Sequence, residues 1–298
     1  MRIGFAGSGH FAEEIWQQLA QAGIHPVLLV TAPPAARGRG HQERPLPLAG
    51  WAEAAGANVL APVAWDEASL QAVSRAALDC LVVADYGRRL PVSALPLAIN
   101  VHPSLLPRWR GAAPIQRALW HGDRYTGVSV MRVAEAIDAG PLYAQEAILI
   151  APDDNAGTLS QRLALLGGRL LAEVLSDLEA GRAQALAQDS RGVRWARRLT
   201  GEEEWLRPGD LSTSSLVRRV RALSPAPGAK LTVNGRALKL LVVEAASVRP
   251  PAGELWASGP DLVLGTRDGG VRLIRVRPAG GREMAGADFW RGVRGGAR

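Results

Sequence analysis

Asn100-Val101-His102, with Asp138 further along, are the residues of this chain whose types and spacing best suit chemistry. Alternate side chains of an extended segment share a face, so the amide and the imidazole project together. An amide donor beside a histidine can stabilise an oxyanion while a proton moves, which is what acyl transfer requires. A carboxylate at 138 can orient the imidazole and serve as its charge partner. An isolated Asn-x-His usually marks nothing more than a histidine at a strand end. Here it runs straight into SLLPRWRGAAPIQRALWHGD (104–123), and that continuation changes the balance.

The elements that must position these residues follow from periodicity. Residues 2–7 form an apolar strand, followed by a glycine-rich turn and a helix over 11–22 with Ile15, Trp16 and Leu19 on one face. Val27–Thr31 reads as a second strand, 61–77 as a helix, Leu81–Ala84 as a third strand and Ala98–His102 as a fourth. Asp138 falls in the loop between strands at Gly127–Val133 and Leu142–Ile150, and Thr158–Leu178 reads as an amphipathic helix. Strands alternating with helices imply a Rossmann-like α/β domain with a mostly parallel sheet. Its chemistry belongs beyond the carboxyl ends of the strands.

The second half changes character. Residues 181–206 lack clear periodicity and read as a linker. Leu238–Val243, Gly253–Trp256, Asp261–Gly265 and Val271–Arg277 are short strands broken by Asn234-Gly235 and Asp268-Gly269-Gly270 turns, the pattern of a small β-barrel. The expected division is a catalytic domain over 1–189, a linker over 190–206 and a second domain over 207–298. Charge divides similarly: residues 1–189 carry 15 basic and 18 acidic side chains, residues 190–298 carry 20 and 10. An arginine-rich usage bias explains the scarcity of lysine but not this asymmetry, which suits a polyanion-binding module beside a catalytic one.

The turn Gly4-x-x-Gly7-x-Gly9 invites a dinucleotide reading, but its spacing departs from Gly-x-Gly-x-x-Gly. The second strand runs into Ala32-Pro33-Pro34 with no acidic residue for a ribose hydroxyl, so that reading is set aside. Cys80, the only cysteine, lies within an apolar run and reads as core. The five scattered histidines show no metal-ligand spacing. With one cysteine, no long apolar run and no secretory leader pattern, a cytoplasmic protein without membrane spans is expected.

The texts YGRRLP (86–91), INVHPSLLPRWRGAAPIQRALWHGD (99–123), TGVSVMRV (126–133) and IDAGP (137–141) closely resemble the folate-dependent formyltransferases. RWRGAAPIQ resembles the branch whose acceptor is an aminoacyl-tRNA, and MRIGFAGSGHFA (1–12) and ALSPAPGA (222–229) extend the likeness over nearly the whole chain. Asp85, His10 and the wording of IDAG depart from the family's usual text, as does the stretch 32–47. The resemblance implies formyl transfer from 10-formyltetrahydrofolate, without a metal, to the α-amine of initiator methionyl-tRNA by a monomer. It also implies an OB-like fold for the second domain. Asn100, His102 and Asp138 would be catalytic; Ser104, Leu105, Leu106 and Pro107, with Tyr86, Gly87 and Arg88, would hold the folate. Arg37, Arg39, Arg198 and Arg218 would meet tRNA phosphates, with Trp195–Arg198, Arg219 and Arg221 as further candidates. Two other functions stand beside this one: the same chemistry on an amino-sugar nucleotide, and a non-catalytic RNA-binding protein.

Overall fold

The computed structural model describes residues 1–37, 42–44 and 46–295. In chain order its elements are β1 (Ile3–Ala6), α1 (His10–Gln21), β2 (Leu28–Val30), β3 (Ala35–Arg37), β4 (Gln42–Arg44), α2 (Pro47–Ala54), β5 (Asn58–Leu60), α3 (Glu67–Arg75) and β6 (Cys80–Val83). There follow β7 (Leu97–His102), α4 (Pro114–His121), β8 (Tyr125–Arg132), β9 (Leu142–Leu149), α5 (Ala156–Glu179) and α6 (Thr213–Leu223). The chain ends in β10 (Ala229–Val233), β11 (Arg236–Ala246), β12 (Leu255–Ser258), β13 (Asp261–Gly265), β14 (Gly270–Pro278), β15 (Met284–Ala285) and α7 (Gly286–Gly295). Two compact units emerge: Met1–Pro114, Tyr125–Ile148 and Ser160–Ala196 in one, Ile115–Arg124, Leu149–Leu159 and Arg197–Arg298 in the other.

The first unit is built on a sheet of order β5-β2-β1-β6-β7-β8-β9. Its strands are parallel from β5 to β7, and β8 turns antiparallel to β7. β1, β2 and β6, at the centre of the sheet, are buried throughout and carry no polar side chain because both faces are covered. On one face Phe5 meets Trp16 of α1 edge-on, with ring centroids 5.4 Å apart. On the other, Val73 of α3 packs with Leu28, Val30, Leu81 and Val83. Asp66 starts α3 by accepting the Ser69 amide at 2.9 Å, so this helix begins several residues after the Ala61 suggested by periodicity. With β2 on one side of β1 and β6 on the other, the winding reverses at β1. The carboxyl-end loops after β1, β6 and β7 therefore gather at one edge of the sheet, where such folds place their ligands.

The second unit holds an antiparallel sheet of order β10-β11-β14-β13-β12, with β15 added to β14. Leu216, Val220 and Leu223 of α6 close its core against Leu231, Leu240, Val271 and Val276, and Trp120 of α4 packs on the same cluster. This is the expected small β domain. The sequence pattern missed β3, β4, α2 and β5 in the first unit and β10, β15, α4 and α7 in the second. α4 spans eight residues and α7 ten, so their amphipathic stripes are shorter than the roughly 11–18 residues over which a helical repeat is read.

Candidate active site

Asn100 and His102 stand two residues apart near the end of β7, on the same face of the strand. Asp138 arrives from the loop between β8 and β9. Its Oδ1 accepts the Asn100 amide at 3.4 Å, and its Oδ2 lies 3.7 Å from Nδ1 of His102. The Gly111 backbone N–H donates to the same Oδ2 at 2.8 Å. The other ring nitrogen of His102, Nε2, is 2.8 Å from the carbonyl oxygen of Trp109. A carbonyl only accepts, so Nε2 carries a hydrogen and Nδ1 is the nitrogen that faces the carboxylate. His102 is buried, whereas Asn100 and Asp138 remain half-buried.

Two non-glycine residues here adopt left-handed backbone, Trp109 with φ +66° and Asp138 with φ +48°. A buried aromatic in that region is uncommon, and such conformations persist where the surroundings over-determine them, often at functional sites. Both are tied to His102: one through its carbonyl, the other through its carboxylate.

The SLLP segment is held from beneath. Ser129 of β8 donates to the Ser104 carbonyl at 2.7 Å and accepts the Leu106 amide at 3.1 Å. Gln145 of β9 donates to the Leu106 carbonyl at 2.9 Å and to Ser129 Oγ at 2.8 Å. The Ser104 hydroxyl closes the turn onto the Arg108 carbonyl at 2.6 Å. Leu106 is buried, while Leu105 and Pro107 keep partial exposure and can present apolar surface to a flat ligand. Ser129 lies within TGVSVMRV (126–133), where nothing in the sequence gives it a role, and Gln145 carries no sequence signal. Only pairing across the sheet brings them to the loop.

The other expected site residues separate. Tyr86 is buried in the core beside Val83 and Leu90, and burial pushes its phenol pKa up. Gly87 and Arg88 are exposed, and the Arg88 guanidinium donates to the backbone carbonyls of Pro62 and Val63. Arg37 ends β3, and Arg39 lies outside the described residues. In the second unit Arg198 is exposed, while half-buried Arg218 donates to Ser215 Oγ at 3.3 Å. Arg219 stacks 4.6 Å over Trp120, and Arg221 donates to the carbonyls of Asp154 and Ala151 at 2.6 Å each. Desolvation lowers the pKa of both guanidiniums, the mark of cations that hold structure as well as charge. Trp195 is 54% exposed.

Among the described residues no group of three His, Cys, Asp or Glu side chains is arranged to hold a metal ion, and no helix is long and apolar enough to cross a membrane.

Comparison with known proteins adds to this geometry. Residues 1–175 match the formyl transferase family, and residues 198–294 match the formyl transferase C-terminal domain. The chain is 40% identical to a methionyl-tRNA formyltransferase of Halorhodospira halophila, covering 98% of this chain and 96% of the relative. It is likewise 40% identical to one from Thermus thermophilus over 98% and 96% of the two chains. Among solved structures, HypX from Aquifex aeolicus in complex with tetrahydrofolic acid superposes with a TM-score of 0.69 at 17% identity. That match covers 97% of this chain and 46% of the other.

Proposed function

The chain belongs to the formyl transferase family, and from that premise we propose that it moves the formyl group of 10-formyltetrahydrofolate to the α-amine of methionyl-initiator tRNA, giving N-formylmethionyl-tRNA for translation initiation. The observation that carries this reading is the convergence of Asn100 and His102 on Asp138, at 3.4 and 3.7 Å, beside the tightly bonded SLLP turn. When bound, the folate supplies the formyl carbon on N10. Ser104, Leu105, Leu106 and Pro107 would hold it, with backbone groups of Tyr86, Gly87 and Arg88. The fit rests on Leu105 and Pro107 as a partly exposed apolar wall on a turn held in place by Ser104, Ser129 and Gln145.

The roles of the three side chains follow from their bonds. Asn100 and Asp138 are joined by a long hydrogen bond of 3.4 Å, so the amide can exchange it for charge developing on the formyl oxygen. The His102 ring is fixed through Nε2, which leaves Nδ1 to donate a hydrogen bond to that charge when the ring is protonated. Asp138 orients His102 and takes up, directly or through water, the proton that leaves the acceptor's ammonium. No metal enters this scheme.

In this reading residues 1–189 carry the chemistry, 190–206 link, and 207–298 dock the tRNA backbone, with the whole acting as a cytoplasmic monomer. Arg37, Arg39, Arg198 and Arg218 would contact phosphates. The test is formyl transfer from 10-formyltetrahydrofolate to methionyl-initiator tRNA, run beside a 4-amino-sugar nucleotide. Rapid formylation of the tRNA alone is the expected result. Formylation of the sugar alone overturns the acceptor, and formylation of neither overturns the reading.

A further inference from the structure

Gln188 belongs to none of the motifs discussed above, yet all the hydrogen-bonding capacity of its side chain is used on the active-site loops. Its Nε2 donates to the carbonyls of Asp138 at 2.9 Å and Gly140 at 2.7 Å. Its Oε1 accepts from Arg110, at 3.1 Å from Nε and 2.6 Å from Nη2. A carboxamide has two donors and two acceptor lone pairs, and here both kinds are filled. The amide orientation follows from chemistry: reversed, it would set its NH2 against a guanidinium and its oxygen against two carbonyls.

The two loops joined in this way are the ones that make the site. Asp138 has left-handed backbone, and the Gln188 amide clasps the carbonyls on either side of that turn. Arg110 lies between Trp109, whose carbonyl fixes His102, and Gly111, whose N–H fixes Asp138. The Arg110 backbone is bonded in turn to the segment that follows Gln188, through the Arg194 carbonyl at 2.9 Å and the Ala196 amide at 2.7 Å. One side chain thus spans the carboxylate loop and the loop that orients the histidine.

We infer that Gln188 is a positioning residue for the transfer reaction: it sets the Asp138 carboxylate against Asn100 and His102 by clamping the 138–140 turn to Arg110. This inference rests on the function proposed above. A glutamate at 188 would still accept from Arg110 but could not donate to the two carbonyls, and would place a second negative charge beside Asp138.

The experiment compares wild type, Gln188→Ala, Gln188→Glu, Asp138→Asn and the Gln188→Ala/Asp138→Asn double variant, using saturating 10-formyltetrahydrofolate and methionyl-initiator tRNA. Hydrogen exchange at the Gly111 amide is read in parallel, since its bond to Asp138 reports the carboxylate's position whatever the acceptor. Both single variants at 188 are expected to lose about tenfold or more in kcat, with KM for each substrate within about threefold. On the Asp138→Asn background the alanine should cost less than about threefold more, because the two act as one unit. Gly111 exchange should accelerate in both variants. Wild-type kcat in Gln188→Glu, full additivity in the double variant, or unchanged Gly111 protection would each overturn the inference. A wild type that formylates no tRNA overturns the functional reading instead, and Gly111 exchange then decides the Gln188 claim by itself.

Discussion

Gly111→Ala probes how backbone geometry reaches the chemistry. Gly111 has φ +119°, a region that L side chains rarely adopt, and a Cβ there would stand 2.7 Å from the Ala196 carbonyl oxygen. That oxygen is main chain and already accepts the Ala113 amide at 3.1 Å, so it cannot swing aside as a flexible side chain would. Holding alanine in such a conformation costs about 1–3 kcal/mol. The loop must therefore stay strained or move, and moving withdraws the Gly111 N–H from Asp138, now 2.8 Å away. A hydrogen bond to a charged group contributes about 1.5–3 kcal/mol, which places the expected loss in kcat at roughly tenfold to a hundredfold. Steady-state formylation and thermal denaturation of the same sample measure both effects. Gly181→Ala is the control: φ is +68°, but no atom lies within 4 Å of a Cβ there, so stability should fall by about 1 kcal/mol while activity stays unchanged. Wild-type kcat in Gly111→Ala, or an equal loss of activity in Gly181→Ala, would refute the link between this loop and Asp138.

Three further outcomes are expected. Burial pushes the Cys80 thiol up to about 12, so a thiol reagent at neutral pH should label the protein only under denaturing conditions, and labelling of the native protein at the denatured rate contradicts its burial. Arg117 grips Glu203 with bonds of 2.7 and 2.9 Å and holds its carboxyl below the ordinary 4.5. The stability from that pair is present above 4.5 and lost as pH falls through the lower folded value, so wild type should exceed Glu203→Gln in denaturant melts at neutral pH and lose its lead in acid. tRNA affinity should fall steeply with salt, and Arg198→Gln should lower that slope by about one phosphate contact; a slope unchanged in the variant removes Arg198 from the interface.

How much was legible beforehand divides along physical lines. β1 and β6 announce themselves because a parallel strand covered on both faces must be apolar throughout, and α1 because Ile15, Trp16 and Leu19 recur at helical spacing. Asn100 and His102 could be read as a pair because strand alternation is local. Asp138 could be named as a carboxylate suited to a histidine, but nothing in its own neighbourhood says that its loop returns to β7. Gln188 and Gln145 were invisible for the same reason: an amide in an aperiodic or exposed stretch acquires meaning only from the carbonyls brought to it by folding. Arg221 shows the converse. On a helical wheel it looks like a solvated charge, yet its guanidinium closes onto the carbonyls of Asp154 and Ala151. The eight-residue α4 and the ten-residue α7 are amphipathic but too short for the repeat to stand out over a window of roughly 11–18 residues. Their place in the second unit's core comes from single aromatic side chains such as Trp120 and Trp290.

The central claim is that Asn100 and His102, set by Asp138, stabilise the charge that develops as the formyl group moves. Single-turnover transfer from 10-formyltetrahydrofolate to methionyl-initiator tRNA, in wild type, Asn100→Ala and His102→Ala at saturating substrates, tests it most directly. Each variant should lose about 2–4 kcal/mol of transition-state stabilisation, roughly 30- to 1,000-fold in rate, with little change in folate affinity. Transfer in both variants within about threefold of wild type would contradict the account.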